Sequence, residues 1–140
     1  MSPSPPPTSP EIVVPDGPSG LLLSRDLIFT TKVVGTARAL GRTVVTAGGP
    51  ALVLAHLGRW IPRVVFADLS AGDLITPEAI ACYREMAPGV PFVAFGSHVD
   101  AEALAAASRA GCDPVLPRSR FSAELPALID RYLGDSGTES

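Results

Sequence analysis

Cysteine, tyrosine and tryptophan are scarce in this 140-residue chain, with two, two and one respectively, and eleven Lys and Arg face fourteen Asp and Glu. Cys82 and Cys112 lie far apart with no CxxC or histidine-rich neighbourhood, so neither a disulfide framework nor a metal cluster is expected. They read as free, buried thiols. A net charge of −3, a pI near 5.2 and basic residues scattered without a stripe leave a nucleic acid no electrostatic footprint. The longest apolar runs, such as 51–57 and 64–67, fall far short of the roughly 20 residues that span a bilayer. The N-terminus has no basic segment followed by an apolar stretch, so it lacks the form of a secretory signal, and a cytoplasmic protein is expected. His56 and His98 have no partner of catalytic type at a suitable spacing. His56 is expected on an exposed helix face, and His98 as a minor polar contact at a strand end. No catalytic set, cofactor or metal is expected.

Apolar residues and proline are abundant. Apolar side chains make up 46% of the chain, enough to fill the core of one domain. Proline crowds the first twenty residues, where Pro5-Pro6-Pro7 rules out a helix or a central strand. Three parts are therefore expected: an extended or disordered arm over 1–19, one folded domain over 20–134 and a flexible tail over 135–140. Within the arm, Ile12-Val13-Val14 is β-branched and either pairs with a sheet edge or is a short sticky spot.

Between the tails, short β-rich runs alternate with helical patterns five times. The first strand is expected at Leu21-Leu22-Leu23, followed by a helix from Asp26 to Leu40 whose Phe29, Val33, Ala37 and Leu40 share one face. A second strand at Thr43–Ala47 leads through Gly48-Gly49, read as a plain turn, to a helix begun by Pro50. The third strand, within Pro62–Leu69, is continuously apolar, as suits a strand covered on both faces. Thr76-Pro77-Glu78 opens the third helix, Phe92–Phe95 is the fourth strand, Asp100 caps an alanine-dense fourth helix, and Val115-Leu116 is the fifth strand. Leu125, Leu128, Ile129, Tyr132 and Leu133 place the last helix against the sheet. The pattern predicts one α/β domain, a doubly wound five-stranded parallel sheet with helices on both faces and its functional residues at the carboxyl ends of the strands.

Three segments resemble the receiver domain of response regulators: Val65-Phe66-Ala67-Asp68-Leu69-Ser70, Pro91-Phe92-Val93-Ala94-Phe95-Gly96-Ser97, and Ala110-Gly111-Cys112-Asp113-Pro114-Val115-Leu116-Pro117-Arg118. The resemblance implies a flavodoxin-like sheet of strand order 2-1-3-4-5. It puts Asp68 in the place of the phosphoacceptor aspartate, Ser24 and Arg25 in the place of the acidic pair that holds Mg²⁺, Gly96 in the place of the hydroxyl residue and Arg118 in the place of the lysine. A guanidinium beside a would-be metal site repels the ion, so the resemblance is to a degenerate receiver. A shift of one residue would offer Asp26 as an acidic ligand and Ser97 as the hydroxyl, although Asp26 also suits a helix N-cap. Arg25 and Arg118 are expected either to flank Asp68 and neutralise it, or to reach solvent while Asp68 caps its loop.

The resemblance also implies a partner-binding surface on the fourth helix, fifth strand and last helix, with Ala103, Ala106, Ala107, Val115 and Phe121 as its candidate residues. Val115 stands where receivers often carry an aromatic switch. Three functions remain in play: a module working by phosphorylation-independent protein contact, including a homodimer through the fourth and fifth helices; a single-domain regulator phosphorylated on Asp68; and a flavin-type or other small-molecule binder.

Overall fold

The computed structural model describes residues 12–134; most of the expected arm and the whole expected tail lie outside the described residues. The chain alternates β1 (Ser19–Leu23), α1 (Leu27–Ala39), β2 (Thr43–Ala47), α2 (Pro50–Leu57), β3 (Val64–Asp68), a 3₁₀ turn (Gly72–Leu74), α3 (Pro77–Met86), β4 (Phe92–Gly96), α4 (Ala101–Arg109) and β5 (Val115–Pro117). Two short helices close it, α5 (Arg118–Ala123) and α6 (Leu125–Leu133). All strands run parallel in the order β2-β1-β3-β4-β5, the doubly wound arrangement expected from the sequence.

Local chemistry sets most boundaries. Asp26, Thr76 and Asp100 accept hydrogen bonds from the amides of Phe29, Ala79 and Ala103 at 3.0, 3.0 and 3.2 Å, satisfying donors that the first helical turn leaves free. Gly41 and Gly111 adopt φ of 73° and 110°, so α1 and α4 end in the left-handed conformation that favours glycine.

Successive strand residues point to opposite faces, and both faces are covered. Leu21, Leu23, Val65 and Ala67 pack under α2 and α3, while Leu22, Phe66, Val93 and Phe95 pack under α1, α5 and α6. Each of the Leu, Val and Phe side chains among these, fully buried, stabilises the fold by about 1.5–3 kcal/mol. This two-sided burial explains why β1, β3 and β4 read as unbroken apolar runs. Among the described residues no helix is long and apolar enough to cross a membrane.

Several expectations need correction. α5 was not anticipated, because Phe121 is the one large apolar residue in Arg118–Ala123 and no helical period can be read there. Only Cys112 is a buried thiol, and burial pushes it up to about 11; Cys82 lies on the outer side of α3 and is exposed. His56 is not exposed: one turn later Trp60 folds over it and donates Nε1–H to His56 Nδ1 at 2.9 Å, with the rings edge to face.

Burial lowers the pKa of His56 below 6.5. Above pH 6.5 the imidazole is neutral whether folded or unfolded, and its full contribution is present. As the pH falls below 6.5, the unfolded chain takes up the proton more readily than the folded one, and stability is lost. Denaturation midpoints measured at about pH 7.5 and about pH 5.5 should therefore fall further for the wild type than for His56→Asn.

Candidate functional site

The carboxyl ends of β1, β3 and β5 converge on Asp68. The last residue of β3, it is 1% exposed. Both of its oxygens are engaged. Ser24, just past β1, donates its hydroxyl to Oδ2 at 2.7 Å. Oδ1 accepts from Ser70 N at 3.0 Å, from Ser70 Oγ at 2.7 Å and from Arg118 Nη2 at 2.7 Å. Arg118 Nη2 also donates to Ser70 Oγ at 2.9 Å, closing a ring of three side chains. Burying a carboxylate is costly unless it is paired and hydrogen-bonded, and this one is both.

Aromatic rings hold the guanidinium in place. Arg118 Cζ lies 4.7 Å from the centre of the Phe29 ring and 5.3 Å from that of Phe95. A planar cation gains from such faces, and its side chain is 30% exposed. Beneath it, Phe121 stacks on Phe95 at 4.1 Å and meets Phe66 and Phe29 at 5.4 and 5.9 Å.

Arg25 does not reach Asp68, which corrects the expectation that two arginines flank it. Its Nη1 instead pairs with Asp73 Oδ1 at 2.7 Å and donates to Ala71 O at 3.1 Å, and its Nε donates to Gly48 O at 2.8 Å. The reason is competition: Asp73 offers an exposed carboxylate on the next loop, while Ser24 already occupies Oδ2. Arg25 thus ties the loops after β1, β2 and β3 together at the rim. Asp26 faces away as the cap of α1, and Ser97 Oγ accepts from Val99 N at 3.3 Å within its own turn. A side chain at Gly96 would meet Leu69, whose Cβ and Cδ1 lie 3.1 and 3.3 Å from the place of a Cβ.

A receiver-type Mg²⁺ site calls for several oxygen donors around one vacancy. Here the donors near Asp68 are two hydroxyls already bonded to it, and a fixed cation lies 2.7 Å from Oδ1. Among the described residues no group of three or more His, Cys, Asp or Glu is arranged to hold a metal. The residues present do not fit the ion.

The expected interaction residues are less accessible than their sequence positions suggest. Phe121 is fully buried and Ala107 nearly so, while Ala103, Ala106 and Val115 are half-buried. The alanines of α4 face α3 across a small apolar cavity of about 80 Å³ that Ile80 and Leu69 also line. They are small because two helices meet there. Ser70 lies in the strand-end stretch that the alternation pointed to, but its bridging role, Asp73 and the aromatic bed of Arg118 were not foreseen as parts of this site. Asp-Leu-Ser was the legible signal for Ser70, since a hydroxyl two residues after an aspartate often closes a local turn.

A doubly wound parallel domain with a sealed aspartate at its central strand end is the class that this geometry defines. Neither a family model nor a curated protein matches the sequence. Solved structures match its fold. A receiver domain protein described as CheY-like from Methanospirillum hungatei has a TM-score of 0.73 at 16% identity, covering 89% of this chain and 100% of that one. The receiver domain of NtrX from Brucella abortus gives 0.71 at 22%, covering 84% and 99%. The receiver domain of a sensor histidine kinase from Pseudomonas aeruginosa, which has a magnesium ion coordinated in its active-site cleft, gives 0.69 at 19%, covering 85% and 99%. This chain has the response-regulator receiver fold.

Proposed function

We propose that the chain is a receiver-type signalling module that works by protein–protein contact and is not phosphorylated on Asp68. The observation that carries this reading is the saturation of Asp68: a 1% exposed carboxylate with both oxygens bonded to Ser24, Ser70 and Arg118. Its oxygens are turned to protein donors and not to an incoming phosphoryl group. The metal that would offset phosphoryl charge lacks ligands, and Arg118 is committed to the ground state of the aspartate. We assign the partner contact to the outer face of α4, where Glu102, Ala105 and Arg109 are exposed, together with Val115 beside it.

The test is to incubate the protein with Mg²⁺ and either acetyl phosphate or beryllofluoride. Intact mass and amide spectra should stay as they were. A mass gain or spectral change that disappears in Asp68→Asn would replace this reading with that of a phosphorylatable single-domain regulator.

A further inference from the structure

The outer edge of β2 has no partner strand among the described residues. Ala47 O accepts from Ser24 N at 3.3 Å, so strand alternation turns the N–H and C=O groups of Val44 and Thr46 outward, away from β1. Alongside runs a groove of about 290 Å³ between α1 and β2, lined by Thr31, Val34, Gly35, Arg38 and Thr46. Proteins usually blunt such an edge with proline, lysine or a bulge. Thr43–Ala47 has neither residue, and its register with β1 is unbroken.

The chain also carries a segment of matching chemistry. Ile12-Val13-Val14 is β-branched and lies in no strand, with Val13 86% and Val14 42% exposed. Carboxylates flank it in the sequence, Glu11 before and Asp16 after, whereas Arg38 is exposed at the groove. The vacant position beside its own β2 is only about two strand spacings from Ser19, roughly 10 Å, yet the segment does not pair there. Pro15 and Pro18 stiffen the connection.

We propose that Ile12–Val14 of one chain adds as a sixth strand to the β2 edge of a second copy, with Asp16 against Arg38, so that two chains exchange arms in a homodimer. Main-chain hydrogen bonds to Val44 and Thr46 provide the attraction, and the charge pair helps set the register. β2 is the edge farthest from β5, so the exchange leaves the outer face of α4 open to another protein.

Sedimentation equilibrium of the full chain from low to high micromolar concentration tests this. A reversible monomer–dimer equilibrium is expected. Thr46→Pro removes an outward donor without touching the β1 ladder, and should weaken the dimer by about tenfold or more. Val13→Asp should do the same, with circular dichroism checking that both variants fold. Arg38→Glu and Asp16→Arg should each weaken self-association, and mixing the two should restore it, because the heterodimer then has one original and one reversed charge pair. A chain that stays monomeric overturns the proposal, as does a dimer indifferent to Thr46→Pro and Val13→Asp. A mixture that associates no better than either variant alone also overturns it.

Discussion

Asp68→Asn should lower folding stability by about 2–4 kcal/mol, because removing one member of a buried pair strands the other's hydrogen bonds. Asparagine keeps the size of aspartate but loses the charge facing Arg118 and offers a single acceptor oxygen, where the carboxylate accepts four hydrogen bonds. Arg118→Met separates charge from packing: it retains an apolar stem over Phe29 and Phe95 but leaves Asp68 held by the two serines alone. Both single variants should lose stability in urea. In a double-mutant cycle their losses should sum to more than the loss of the double variant, since the pair is one interaction. An open phosphorylation pocket predicts the reverse, because a repulsive or solvated carboxylate costs little to neutralise. Equal midpoints for wild type and Asp68→Asn would therefore count against the sealed site.

Phe121→Ala is expected to have a larger effect, about 3–5 kcal/mol, through the cavity left when a fully buried ring is removed. Phe121 touches three other phenylalanines, and two of these, Phe29 and Phe95, carry the Arg118 guanidinium. Core and site are thus one structure on this side of the sheet. Loss of the ring should loosen Arg118 as well as the core, so the combination with Asp68→Asn should destabilise by less than the two losses added. Chemical denaturation of the three variants measures this. Strict additivity would mean that the aromatic bed does not position the arginine.

The contrast between Arg25 and Arg118 explains how much of the site could be read in advance. Both arginines follow a strand, and strand ends in a parallel sheet share one rim, so their nearness to Asp68 was legible from alternation alone. Their partners were not. Arg25 chose Asp73, five positions beyond Asp68, because the 3₁₀ turn Gly72–Leu74 brings that carboxylate back to the rim. Arg118 chose Asp68 because α5 starts at that residue and Phe29 lies beneath it. The same limit applies to accessibility. Alanines at 103, 106 and 107 look like a docking stripe in the sequence, and His56 looks exposed, until α3 and Trp60 are laid against them.

Local sequence dictated the strands and the helices between them, their caps and stops, the two-sided burial of the central strands and hence the doubly wound sheet. Those features depend on residues near one another in the chain: capping oxygens, glycines in the left-handed region and unbroken apolar runs. Tertiary structure alone decided which carboxylate each arginine holds, that Ser70 bridges Asp68 and Arg118, and which apolar residues are inside. Those choices join side chains fifty positions apart or more, as with Asp68 and Arg118 or Phe29 and Phe121, and charge and hydrogen-bonding capacity carry no address until the fold brings them within reach.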